Sequence, residues 1–433
     1  GTNDNFGLQN IKNPDLSALK EKYDEYATEL LTMVRKNNPK ATIIWTYGAM
    51  GYGMDVGDGK QSGDWIKETV EKFAETDKNT YFYKMAASQN GGGSHPDLIG
   101  SKYLAEDLTA FICEKTGWTA TGLPEKVTHT DGEVLKDYKF DTTTEGFECA
   151  RENALSVANG KLHLDAADNK EILTSAVVGD RYLDTYEMTL DFKQLGSHDW
   201  NREIITLRSP NSSLSDAVYL AFLGNNIATK SNWLNPLKNE DNLQLISVRN
   251  GKIISSQSLK LDDLYDGKEK RIKVKMSKSR LEIMLYNVGG SIPDEPTFSL
   301  PLGGSVEEGD IFLQGHCTTF EVDNIKVIYK TDDIKRFDRA DAPEIIFRSE
   351  NSVSLRATEG CEYSIDGKNW QISNEFDNLT AKNTYKFYMR YAANADTLAG
   401  IKSEPLSVKL YLNGDINHND GVDGEDLVLL RKH

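Results

Sequence analysis

Leu19, Tyr23, Tyr26, Leu30 and Val34 recur every three or four positions through LSALKEKYDEYATELLTMVRK, with charged residues between them. That spacing predicts an amphipathic helix. The apolar run ATIIWTY that follows fits a strand buried on both faces. DWIKETVEKFAETD repeats the helical spacing, and TYFYKMAA predicts a second strand. A third helix is predicted over PDLIGSKYLAEDLTAFICEK, with Pro96 at its first position, where the missing N–H is no loss. This alternation predicts an α/β layer with a parallel sheet over residues 1–119. Two strands are few for three helices. More strands are therefore expected upstream, and Ile43, Ile44, Phe82 and Tyr83 are expected to expose apolar surface where those strands would pair.

The pattern changes at GLPEKVTHTDGEVL, and residues 120–135 read as a linker. From 136 to 332 the alternation has period two. LSVANGKLHLDA and LISVRNGKIISS each place Asn-Gly between alternating runs, at Asn159-Gly160 and Asn250-Gly251, the sequence a tight hairpin favours. In RIKVKMSKSRLEIMLY, Ile272, Val274 and Met276, then Leu281, Ile283 and Leu285, fall on one face. Many short strands over about 200 residues predict a large jelly-roll sandwich. Residues 333–411 carry another set of short strands, an Asp366-Gly367 turn and a lone Trp370 placed as core. Their spacing fits an immunoglobulin- or fibronectin-III-like sandwich. Residues 412–433 are carboxylate-rich and end in an apolar helix start. The fold expected is thus multidomain, a partial α/β layer followed by two all-β modules and a loop–helix tail.

Apolar residues make up 38% of the 433 and charged residues 27%, the balance of a water-exposed globular chain. No run of ~18 apolar residues predicts a membrane-crossing helix. The formal charge of −17 disfavours nucleic acid, whose phosphates need basic patches. Cys113, Cys149, Cys317 and Cys361 form no paired metal motif. Cys149 and Cys317 stand near the two ends of one module, leaving either a disulfide or free thiols.

The chain opens on GTNDNFG, and GGGSHP precedes the third predicted helix. Both stretches are expected at the C-terminal edge of the parallel sheet, where α/β sites lie. Asn3 offers an amide donor of the kind that holds an oxyanion, and His95 an imidazole suited to general-base work. Together GTND and GGGSHP resemble the third and fifth blocks of the SGNH (GDSL-type) hydrolases, and TIIWTYGAMGYG between them resembles the acetyl-xylan-esterase branch. The resemblance covers residues 1–119 and implies a truncated flavodoxin-like sheet. It implies Asn3 in the oxyanion hole, His95 as catalytic base, and a serine nucleophile that this chain does not contain. Gly92 stands where that family carries Asp, which implies a Ser–His dyad. Asp97 is read as a helix-start residue.

In the tail, Asp415, Asn417, Asn419, Asp423 and Asp426 occupy positions 1, 3, 5, 9 and 12 of a twelve-residue loop. Oxygen ligands at that spacing suit calcium. Asp420 stands at the sixth position, where such loops place glycine. With Asp426 last and Gly414 ahead, the loop resembles the first repeat of a type I dockerin, which implies a cohesin partner. The middle sandwich resembles concanavalin- and laminin-G-like modules through GHCTTFEVDNIKVIY, which implies carbohydrate binding. Trp200 and Trp233 in polar segments are candidates for stacking on sugar rings. The function expected is a secreted, cellulosome-associated esterase removing acetyl groups from plant polysaccharide. The alternative is a non-catalytic carbohydrate-binding or adhesion protein.

Overall fold

The computed structural model describes residues 15–431 apart from 52, 54, 89, 92–94, 168–171 and 224–240; for 152 and 196–202 it describes the backbone alone. The chain forms two compact units, Gly1–Ile292 with Leu302–Asp332, and Pro293–Pro301 with Asp333–His433.

In the first unit, α1 (Leu16–Asn37) starts where Asp15 accepts the N–H of Ala18. β1 (Ile43–Ala49) pairs in parallel with β2 (Thr80–Ala87), with α2 (Ser62–Ala74) between them in sequence. Leu31, Tyr47, Ile66 and Val70 bury together where these elements meet. Ile43, Ile44, Phe82 and Tyr83 are half-buried. α3 (Leu98–Thr116) begins two residues later than predicted. Asp97 is its cap, accepting the N–H of Gly100 at 2.6 Å, so Pro96 lies outside the helix. A carboxylate that satisfies an orphan N–H fixes the boundary more firmly than a proline that merely tolerates it.

The rest of this unit is a β-sandwich of β3 (Val134–Tyr138), β4 (Glu148–Cys149), β5 (Leu155–Ala158), β6 (Lys161–Ala166), β7 (Leu173–Ala176), β8 (Tyr186–Ser209), β9 (Ala217–Leu223), β10 (Leu243–Arg249), β11 (Lys252–Leu259), β12 (Lys270–Met276) and β13 (Arg280–Asn287). β14 (Phe298–Pro301) belongs to the second unit, and β15 (Asp310–Tyr329) returns to the first. Both predicted Asn-Gly hairpins form. Asn159 and Gly160 have φ of 54° and 71°, and Asn250 and Gly251 52° and 71°, the left-handed pair a tight hairpin needs.

β8 and β15 are long and antiparallel, and they run through both layers. Their Phe192 and Val322 ends carry β12 and β13 on one side and β6 and β3 on the other. Their Ile205 and Leu313 ends carry β9, β10 and β11 on one side and β7 on the other. Leu190, Phe192, Ile272, Val274, Ile283, Phe320 and Val322 fill the interior, and Phe192 stacks on Phe222 at 4.8 Å.

α3 is a layer on this sandwich. Ile99 and Tyr103 pack with Ala176 and Phe312, and the Tyr103 hydroxyl donates to Asp310 at 3.0 Å. The molecule is therefore predominantly a β-sandwich protein. Among the described residues the expected flavodoxin-like sheet is corrected to a two-stranded ribbon, and the buried turn of its last helix is spent on the sandwich rather than on further parallel strands.

The second unit holds two three-stranded sheets, β16 (Ile345–Arg348), β17 (Val353–Leu355) and β19 (Glu375–Phe376), against β18 (Cys361–Ser364), β20 (Thr384–Tyr391) and β21 (Leu406–Lys409). Val353, Leu355, Tyr363, Phe376, Phe387 and Leu410 form its core. Trp370, expected in that core, lies at the rim under the Arg390 guanidinium, 4.0 Å from its ring centre. The short helix α4 (Gly424–Leu430) closes the described tail. All four cysteines are thiols. Among the described residues no helix is long and apolar enough to cross a membrane.

Candidate functional site

Asn3 and Trp233 lie outside the described residues, and Trp200 falls in the part of β8 described by its backbone. His95 is exposed just before α3, and its carbonyl accepts the N–H of Gly91 at 2.7 Å. Asp97 caps the helix, as expected for a helix-start carboxylate.

The tail loop is folded on itself. Asp415 accepts the N–H groups of Asn419 and Asp420, at 3.1 and 3.0 Å. Asn417 accepts from Asn419, and Asn419 from Gly421. Asp426 accepts from Ile416, Asn417 and Asp423. Those amides hold its carboxyl below the usual carboxylate range, that of Asp423 foremost. Asp423 and Asp426 also form the capping box of α4. Asp420 has a φ of 66°, the turn for which such loops use glycine. Among the described residues no three His, Cys, Asp or Glu side chains gather as a metal cage.

The outward face of β13, β12, β8, β15 and β3 is built differently. Alternation turns the apolar phase of these strands inward and leaves a polar phase in register outside. Three rows cross it. Glu282, Lys275, Glu187 and Ile328 lie side by side. Met284, Lys273, Thr189, Lys326 and Asp137 follow, then Tyr286, Arg271, Asp191 and Asp323. Arg271 grips Asp191 with two bonds of 2.7 Å, and Asn324 donates to the same carboxylate at 3.0 Å. Asp191 is only 2% exposed, so this trio is a fixed platform rather than a mobile surface pair. The Asp191 bond is the main cause holding the Arg271 pKa above its ordinary value. Lys273 sits 5.9 Å from the Tyr286 ring centre. Beside it, Glu187, Thr189, Lys273, Lys275, Glu282 and Met284 rim a depression of about 260 Å³. Sequence reasoning missed this face although its signal was present. KVKMSKSRLEIMLY was read for its core phase, and the complementary phase carries Lys273, Lys275, Glu282, Met284 and Tyr286.

No protein-family model matches the chain, and no curated protein matches it in sequence. Solved structures do resemble it. A Bacillus subtilis protein of unknown function with a galectin-like fold is 12% identical with a TM-score of 0.34, over 48% of this chain and 100% of its own. The Bacillus licheniformis β-glucanase is 12% identical at 0.33, over 47% and 99%. A lectin from Bauhinia forficata, solved with GalNAc, is 12% identical at 0.32, over 46% and 100%. The expected SGNH-hydrolase and dockerin identities, with the acetyl-xylan-esterase and cellulosome setting they implied, are corrected accordingly. No family model supports them, and among the described residues the α/β segment carries a two-stranded sheet whose last helix packs on the sandwich.

Proposed function

We propose that this chain binds carbohydrate through its β-sandwich without cleaving it, on the outward face of β13, β12, β8, β15 and β3. The observation that carries this reading is the Arg271–Asp191–Asn324 platform beside Tyr286. A polysaccharide presents repeated hydroxyls that both donate and accept. A face that sets cations, carboxylates and hydroxyls in rows, with the Asn324 amide beside them, supplies partners for both without a net field of one sign. Tyr286 and Met284 add apolar area for the ring faces of a sugar. The test is retention of the full chain on a panel of immobilised plant and microbial polysaccharides. Binding to at least one glycan, weakened tenfold or more by Arg271→Ala and by Tyr286→Ala, is expected. Retention unchanged in both variants, or none at all, removes the reading.

A second reading concerns residues 415–426, which we infer take calcium. Supporting it are the left-handed Asp420 at the sixth position and the side-chain oxygens of Asp415, Asn417 and Asn419, which accept the loop's own backbone amides and so are held within it. Calorimetric titration of the full chain with calcium should show one site, lost in Asp415→Ala. No heat of binding ends the proposal.

A further inference from the structure

A cavity of about 420 Å³ opens elsewhere on the sandwich, where the segment before β8, the end of β8, the β12–β13 turn and the segment leading into β15 meet. Its lining includes Asp184, Arg208, Lys278, Ser305, Glu307 and Glu308. Arg208 is 2% exposed, among the largest side chains buried in the molecule. Such a guanidinium normally faces a carboxylate. Here its hydrogen bonds run to main-chain carbonyls, of Val306 at 3.1 Å, of Ser277 at 3.3 Å and of Asp184. Its Nε has no acceptor among the described residues. Burial lowers its pKa, and the nearby charges of Asp184, Glu308 and Glu307 work against that.

The rim is prearranged. Leu302 donates its N–H to the Ser279 carbonyl at 2.9 Å. The Ser305 hydroxyl meets that of Ser247 at 2.6 Å, and Arg249 donates to the Ser305 carbonyl. Gly309 donates to the Leu183 carbonyl at 3.0 Å. A segment pinned at its start, middle and end loses little further freedom when a ligand arrives. Gly303 and Gly304 leave the rim between these pins without side chains.

The lining selects among ligands. Three carboxylates stand against two cations, so an anionic ligand gains no net attraction. An apolar ligand would desolvate five charges without pairing any. A ligand that donates to Asp184 and Glu307 and accepts from Lys278 satisfies both signs. The volume lies within the range of roughly 300–1,000 Å³ typical of small-molecule sites.

We propose that this cavity is a binding site for a neutral, hydroxyl-rich ligand of mono- or disaccharide size, walled by Arg208 and held by Asp184, Lys278 and Glu307. It rests on the carbohydrate reading above but uses a different surface, as a seat for a single ring or a chain end rather than an extended strand.

The test is calorimetric titration of the full chain with methyl β-glucoside, methyl β-xyloside, methyl α-mannoside and cellobiose, with glucuronate as the acidic comparison. One neutral probe should bind with one-to-one stoichiometry, and glucuronate should bind at least tenfold more weakly. Lys278 is well exposed, and a Cβ added at Gly303 meets nothing within 4 Å, so both positions are open to substitution, by Lys278→Ala and Gly303→Phe. Both should weaken the neutral probe tenfold or more while leaving polysaccharide retention on the outward sheet face unchanged. No binding of any neutral probe, preference for glucuronate, or binding unaffected by both variants overturns the proposal. Loss of polysaccharide retention in Arg271→Ala alone, with glycoside binding intact, separates the two sites. If no polysaccharide is retained but the glycoside titrates, the face fails and the cavity stands.

Discussion

Asp310 is a fully buried carboxylate. It accepts from the Tyr103 hydroxyl at 3.0 Å and from the backbone N–H groups of Ile311 at 2.7 Å, Gly179 at 2.9 Å and Val178 at 3.3 Å. Burial nonetheless wins and pushes its carboxyl up to about 6, with those hydrogen bonds pulling the other way. The folded state therefore binds this proton more tightly than the unfolded chain does. The contribution of Asp310 to stability falls as pH rises from about 4 through about 6, by roughly 3 kcal/mol in all at ~1.36 kcal/mol per tenfold change in proton affinity. Tyr103→Phe removes a donor to the charged form. It should lower stability by about 2 kcal/mol at pH 7.5 and by about half that at pH 4.5, measured by urea unfolding at both values. Equal losses at the two pH values would show that the hydroxyl does not answer to the carboxylate. Nothing in EEGDIFLQGH marks Asp310 as buried, because its partners stand at Tyr103 and 178–179 and no local pattern reports them. Trp370 failed for a related reason. Spacing placed it in a core, but Arg390 stacks over it, tied in turn to Glu362 and Glu295.

Among elements, the hairpins were the most legible, since an Asn-Gly pair needs only its own φ angles to be recognised. β12 and β13 were readable for the same kind of reason, because their alternation is local and one-sided. The joint between the 302–308 segment and β15 was not readable. It turns on Gly309, where an added Cβ would lie 2.4 Å from the Ser209 backbone. Gly309→Ala should therefore cost about 3 kcal/mol, because backbone rather than a flexible side chain must move. Gly303→Ala, six residues earlier, should stay within about 0.5 kcal/mol. Urea midpoints of the two variants check the contrast, and equal midpoints would mean that the joint gives way freely. The start of α3 shows how an element boundary escapes the sequence. Proline and aspartate both favour a helix start, and only the Asp97–Gly100 bond decides between them.

At the scale of the molecule, the β-sandwich was legible and the place of the α/β segment was not. α3 packs on Phe312 and Ala176, far along the chain, and its pattern in sequence is the same whether it covers a parallel sheet or a sandwich. The overall charge of −17 also bears on binding. Because the rows on the outward face mix both signs, polysaccharide binding there should change less than threefold between 50 and 500 mM salt. A binder of nucleic acid would lose orders of magnitude over such a range. Affinity measured across that series checks it, and a steep decline would point to a charged ligand. β15 carries a last consequence. It is the partner of β3, β6, β7 and β8 at once, and it comes after all of them. On a ribosome adding about 5–20 residues per second, the strands from Val134 onward wait roughly 10–35 s for it to emerge. Throughout that interval the nascent sheets have unfilled edges, so yield of intact protein should depend on translation speed and on chaperones that shield β-edges far more than on the final stability of the product.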